Sequence, residues 1–223
     1  NADMLSSMMG LSAVLMALYR RRDTGAGDYI DLSMMDSLIA AMPNNVGPVF
    51  AEKRAPNPKD ERSWGGNAMY NIYGTKDGKH IVLGGAEMHF AAAILNKMGR
   101  PDLIDVCLPP PGPNQLPAKE FLTEKFLSET QAYWVDWFED VDAAFAPVND
   151  LRQGADDPQL RHREMIIEDD RGWEHIGIPM KFKNEPGQVV FDLPELGQHS
   201  ESNLRNIGYS DSDIAAMKES GVF

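Results

Sequence analysis

Asp3 is the residue in this chain most able to do chemistry. It stands at the head of a long apolar run, Met4 to Tyr19, where a carboxylate can cap a helix or, once desolvated, carry a shifted pKa. A second carboxylate, Glu87, opens a predicted helix from Met88 to Met98. The remaining reactive side chains are dispersed. His80, His89, His162, His175 and His199 lack the paired spacing that zinc sites use, so no metal is expected. Cys107 is the only cysteine, which excludes an internal disulfide framework, fits a reducing compartment and reads as a packed thiol. No G-x-G-x-x-G, P-loop, H-E-x-x-H, C-x-x-C or G-x-S-x-G run is present, so dinucleotide, kinase, zinc and serine-hydrolase chemistry lack support.

The elements that must position these residues follow from the pattern. Met4 to Tyr19 is shorter than the roughly 20 residues of a membrane span and carries three serines and a glycine. It therefore predicts a helix buried on nearly every face inside a protein, with part of the fold lying upstream. Arg20, Arg21 and Arg22 suit its C-terminal dipole and Gly25 its cap. Tyr29 to Ser33 predicts a strand and Met34 to Met42 a helix stopped by Pro43, as in a layered α/β domain. Four prolines and three glycines over residues 43–66 read as a linker. Ala68 to Tyr73 and His80 to Leu83 flank an Asp-Gly turn and predict a β-hairpin, ended by Gly84 and Gly85.

Beyond the Met88 helix come a Pro-rich loop, Leu108 to Pro113, and an amphipathic stretch, Ala118 to Leu127. Thr130 caps a helix whose aromatic face, Tyr133, Trp134, Trp137 and Phe138, is read as core. Phe145 to Val148 predicts a strand, followed by a short helix to about Gln153. Met165 to Glu168 and Trp173 to Ile178 form a second hairpin, Pro179 to Pro194 is irregular, and two short helices, His199 to Ile207 and Ser210 to Ser220, close the chain.

Composition narrows the partners. With 223 residues, 43% hydrophobic, the chain can bury one or two ordinary cores. A net charge of -13, 34 acidic against 21 basic residues, argues against nucleic acid or an anionic membrane as partner, since phosphate neutralisation needs clustered Lys and Arg.

The run Ala2 to Ser33 has an Asp, a small and apolar helix ending Ala17-Leu18, basic residues, Thr24-Gly25-Ala26-Gly27, and Asp31 near the end of a strand. It resembles the central segment of the class III CoA-transferases, the CaiB/BaiF family, which includes formyl-CoA transferases and the α-methylacyl-CoA racemases. Four later blocks agree in order: Tyr70 to Gly78, Leu83 to Phe90, Ala146-Pro147-Val148, and Leu196 to His199 leading to Ile207-Gly208-Tyr209 and Gly221 to Phe223. The resemblance covers essentially the whole chain and implies a C-terminal half.

That resemblance implies a transferase that moves coenzyme A between carboxylic acids, with Asp3 as nucleophile through an anhydride and an aspartyl-CoA thioester. Main-chain N–H groups of a glycine loop would hold the oxyanion, with Gly65, Gly66, Gly84 and Gly85 as candidates. Glu87 resembles the racemase branch, where a Glu and an upstream His move a proton beside the thioester, and α-methylacyl-CoA racemisation is the alternative activity. A non-catalytic fragment or binding module is the alternative of another class. The family fold implies a Rossmann-like large domain from residues 1–50 and 176–223, a linker at 51–65, a smaller α+β domain at 66–175, and an interlocked homodimer. Acyl-CoA, a carboxylic acid acceptor and the missing N-terminal half are the expected partners. The fragment alone is expected to be inactive, and the compartment cytoplasmic.

Overall fold

The structure, a computed structural model, describes residues 1–61 and 65–223, and the apolar run at its head forms helix α1 (Ala2–Thr24), closed by Gly25 at φ 71°. The helix is not buried as expected. Ser6 is its one buried residue, and Met4 and Met16 are 73% and 71% exposed. The segment that follows packs on it: Gly10 admits Leu32, whose Cδ2 would lie 3.1 Å from any Cβ there. Among the described residues α1 is the one helix long and apolar enough to cross a membrane by length and composition.

The strand expected over Tyr29 to Ser33 does not form. A strand exists only through its ladder, and neither sheet among the described residues includes this stretch, whose Tyr29 is 91% exposed. Ser33 instead caps α2 (Met34–Ala40), its Oγ accepting from the Asp36 N–H at 3.2 Å. The stretch read as a linker from residue 43 also begins as a helix, α3 (Pro43–Glu52). Pro43 occupies its first turn, where a missing N–H costs nothing, so the proline starts a helix as well as ending one. Residues 53–61 are without regular structure, and residues 62–64 of the expected linker lie outside the described residues.

The predicted hairpin is present as β1 (Tyr70–Gly74) and β2 (His80–Gly84), joined antiparallel with Ile72 opposite Val82. β3 (Phe145–Val148) extends the sheet to the order β1-β2-β3. Alternation turns Tyr73, Ile81 and Leu83 inward. They meet α4 (Met88–Lys97), α5 (Leu116–Leu127) and α6 (Gln131–Phe138) in one core. Thr130 caps α6 as predicted, and Trp134 and Phe138 are buried while Tyr133 stays exposed. The Trp134 indole donates to the Phe126 carbonyl at 2.9 Å, which allows so large a polar-edged ring to be fully covered. These elements, with α1 to α3, make up the unit Asn1–Val148.

The second unit, Asn149–Phe223, holds α7 (Leu151–Ala155), α8 (Pro158–His162), the hairpin β4 (Ile166–Glu168) and β5 (Glu174–Ile176), and the helices α9 (Ser200–Asn206) and α10 (Asp211–Glu219). Asp169 sits inside the hairpin turn with its carboxylate fully covered, accepting from the Arg171 guanidinium and the Trp173 N–H. Residues 179–194 carry no regular element, as expected, and the class is mixed α/β with small sheets.

Candidate active site

Asp3 lies within the first turn of α1, one residue past its start, and does not cap the helix: the N-cap position is Asn1, without a side-chain cap bond. The Ser6 hydroxyl bonds the Ala2 and Asp3 carbonyls at 2.8 and 3.1 Å, closing the turn from inside. The Asp3 carboxylate itself is exposed and has no hydrogen bond or ion pair among the described residues. The desolvated setting expected from the apolar run is absent.

The glycine candidates separate once their N–H groups are followed. Gly66 donates to the Glu61 carbonyl at 3.0 Å and Gly84 to the Ala144 carbonyl at 2.7 Å, so both amides are engaged. The N–H groups of Gly65 and Gly85 have no acceptor among the described residues. Gly65 adopts φ +106°, a conformation that favours glycine. At Gly66 the reason for glycine is space, because a Cβ would lie 2.2 Å from the Asp60 carbonyl oxygen.

Two side chains that sequence reasoning passed over hold this glycine turn. Lys119 of α5 donates its Nζ to the Gly65 carbonyl at 2.6 Å. Gln115, fully buried, accepts from the Ala68 N–H at 2.9 Å and donates to the Cys107 and Leu108 carbonyls at 3.1 and 3.2 Å, tying the turn to the Pro-rich loop. Neither carries a local signal. A Gln after a Pro-rich loop and a Lys on an amphipathic helix are common, and their partners are 47 and 54 residues away in sequence.

Glu87 occupies the N-cap of α4 with an exposed side chain that makes no cap bond. With Asn67, Ala86, Pro109 and Pro111 it lines a cavity of about 300 Å³. Gly85 beside it is buried and cannot bear a side chain, since a Cβ would fall 2.3 Å from Phe90 Cδ2. Gly65 and Gly84 share a second cavity, of about 410 Å³, on the outer side of β1 and β2. The structure thus gathers Gly65 and Gly84 at one cavity and sets Glu87 at another. Asp3 shares no hydrogen bond or ion pair with any of them among the described residues.

Burial pushes the Cys107 thiol up to about 11, in keeping with a packed thiol rather than a nucleophile. Among the described residues no group of three or more His, Cys, Asp and Glu side chains could hold a metal ion.

Comparison with known proteins gives these features a setting. The model of the family described as CoA-transferase family III matches residues 1–200. Human succinyl-CoA:glutarate CoA-transferase is 25% identical over 99% of this chain and 52% of its own length. The beta subunit of succinyl-CoA–L-malate CoA-transferase from Chloroflexus aurantiacus is 26% identical over 99% of this chain and 57% of its own. The chain spans about half the length of the curated relatives it matches. Among solved structures, a CAIB/BAIF family protein from Brucella suis superposes with a TM-score of 0.71 at 18% identity, over 92% of this chain and 55% of that one. Rv3272 from M. tuberculosis gives 0.66 at 19%, over 88% and 53%.

Proposed function

The chain belongs to CoA-transferase family III, and we propose that the full-length protein transfers coenzyme A between carboxylic acids with Asp3 as the nucleophile. The observation that carries this reading is the Asp3 carboxylate itself, exposed and without a partner among the described residues, in the first turn of a helix that the family match includes. An Asp Oδ attacks the thioester carbonyl of an acyl-CoA donor, the C–S bond breaks and CoA thiolate leaves, forming a mixed anhydride. The thiolate then attacks the Asp3 carbonyl, releasing the donor carboxylate and leaving an aspartyl-CoA thioester. An acceptor carboxylate reverses the two steps and regenerates Asp3. No proton enters or leaves the balance, so Asp3 needs only to remain ionised. Gly65 and Gly85, whose N–H groups are uncommitted among the described residues, supply oxyanion donors.

In the complete protein, residues 1–50 and 176–223 belong to a Rossmann-like large domain and 66–175 to the small one, with 51–65 between them, in an interlocked homodimer. The half-length match and the uncovered apolar face of α1 support an upstream half that lies over that helix and completes the CoA site. The family match across α1 favours a soluble, cytoplasmic enzyme over a membrane span at that helix.

The test is mass spectrometry of the full-length protein incubated with acyl-CoA donors and trapped with hydroxylamine or borohydride. Modification at Asp3 alone, lost in Asp3→Asn, is the expected result. An unmodified Asp3 together with α-proton exchange into deuterated solvent would assign the racemase chemistry to Asp3 and Glu87 instead, and neither signal would leave a binding module.

A further inference from the structure

An arginine without a carboxylate is the exception in this chain, where 34 acidic residues stand against 21 basic ones. Arg20, Arg54, Arg100, Arg152, Arg171 and Arg205 each pair with at least one carboxylate. Arg161, in α8, meets Asp156, Glu168 and Glu174. Arg163, two residues further on, meets none. Among the described residues its guanidinium has no hydrogen bond or ion pair, and neither the His162 ring nor the Gln159 side-chain amide has one.

These three groups line a cavity of about 390 Å³ together with Glu164 and Lys181, all within the second unit. The backbone fixes its walls. Glu164 takes φ 52° as the chain leaves α8, a left-handed conformation that costs any residue with a Cβ. Beyond β5 the Gly177 N–H donates to the Met165 carbonyl at 2.8 Å, and the Glu164 carbonyl lies so close that a Cβ at Gly177 has no room. That approach draws the segment after β5 against the exit of α8 and brings Lys181 to the same cavity. Lys181 Nζ stands 3.7 Å from Glu164 Oε2, beyond hydrogen-bond length, and the Glu164 side chain is largely exposed.

We infer that this cavity is an anion site that takes a dianionic phosphate group. Arg163 offers a planar fork that matches two phosphate oxygens, Lys181 a mobile point charge, and Gln159 and His162 further N–H donors. Two cations against one carboxylate leave the cavity positive on a chain of net charge -13, which suits one compact anion better than an extended polyanion. A phosphate entering between Arg163 and Lys181 displaces the Glu164 carboxylate, which has solvent to turn into. The group is either the 3′-phosphate of coenzyme A or that of a separate phosphorylated ligand, and the site does not depend on the chemistry of Asp3.

The test is phenylglyoxal labelling of the full-length protein, read at Arg163 by peptide mass spectrometry. Inorganic phosphate, coenzyme A and 3′-dephospho-CoA are the protecting probes, with sodium chloride of matched ionic strength as the control for screening. Arg163 should label faster than the paired Arg161, and phosphate should protect it with a midpoint of about 1 mM or below. Lys181→Gln should raise that midpoint about tenfold, and Glu164→Gln, which removes the competing charge, should lower it. Both variants alter exposed side chains, so folding is preserved. Given protection by phosphate, protection by coenzyme A that 3′-dephospho-CoA fails to give identifies the 3′-phosphate as the natural occupant. Equal protection by those two, or none by either, identifies a separate phosphorylated ligand. An Arg163 that does not label without a probe, protection matched by chloride, or a midpoint unmoved in either variant overturns the inference.

Discussion

Gln115→Leu should destabilise the protein by about 3 kcal/mol, far more than its single uncharged side chain suggests. Leucine fills nearly the same volume, so little is lost in packing. What is lost is the partner that the Ala68 N–H has among the described residues, in a residue with no exposed surface, and a partner of the carbonyl of Cys107, itself 2% exposed. Each buried group left unsatisfied costs about 1–3 kcal/mol. The Leu108 carbonyl belongs to a residue 45% exposed and can rehydrate. Gln115→Glu should not rescue, because a carboxylate still accepts from Ala68 but faces the Cys107 and Leu108 carbonyls with negative charge. Urea unfolding of the full-length protein, followed by the fluorescence of buried Trp134, reads the loss as a midpoint lowered by about 1–2 M. A loss below about 1 kcal/mol for Gln115→Leu would refute the claim that these hydrogen bonds anchor the glycine turn.

Lys119→Met should lower kcat for transfer severalfold with little change in KM, because it frees the Gly65 carbonyl that anchors the glycine turn; an unchanged kcat would mean that turnover does not depend on this anchor. Gly85→Ala should unfold or inactivate the protein through its clash with Phe90, and Phe90→Ala in the same chain should restore folding as judged by circular dichroism. Cys107 should resist iodoacetamide at pH 8 in the folded protein and react only on unfolding, since burial pushes its thiol up to about 11. Arg152 and Arg161 hold the Glu174 carboxyl down to about 2. The folded value lies below the unfolded one, so the stabilisation is fully present above about pH 4.5 and disappears as pH falls through about 2. Thermal midpoints of wild type and Glu174→Gln should therefore differ at pH 6 and converge near pH 2.

Elements whose signals are local were legible in the sequence. The first hairpin follows from an Asp-Gly turn between β-branched and aromatic runs, and the α6 cap from Thr130 ahead of its aromatic face. The failures were non-local. Tyr29 to Ser33 has strand composition but no strand to pair with among the described residues, and Pro43 carries the same letter whether it ends α2 or begins α3. The apolar run of α1 predicted a helix correctly, yet apolar composition states what a helix needs and not whether anything in this chain supplies it.

The candidate site divides along the same line. Asp3 could be singled out because a carboxylate at a helix start is a local feature, and resemblance raised it from a helix cap to a proposed nucleophile. The glycines could be proposed only as pairs. Which member of each pair can donate depends on where its N–H points, and the Glu61 and Ala144 carbonyls that engage Gly66 and Gly84 do not announce themselves in sequence. A main-chain donor is chemically identical at every residue, so its availability is a property of the fold alone. The same argument makes Gly65 and Gly85 the informative pair. Blocking Gly66 or Gly84 removes space or a ladder bond, whereas a change that turns the Gly65 or Gly85 amide away should cost turnover while the sheet and its core remain intact.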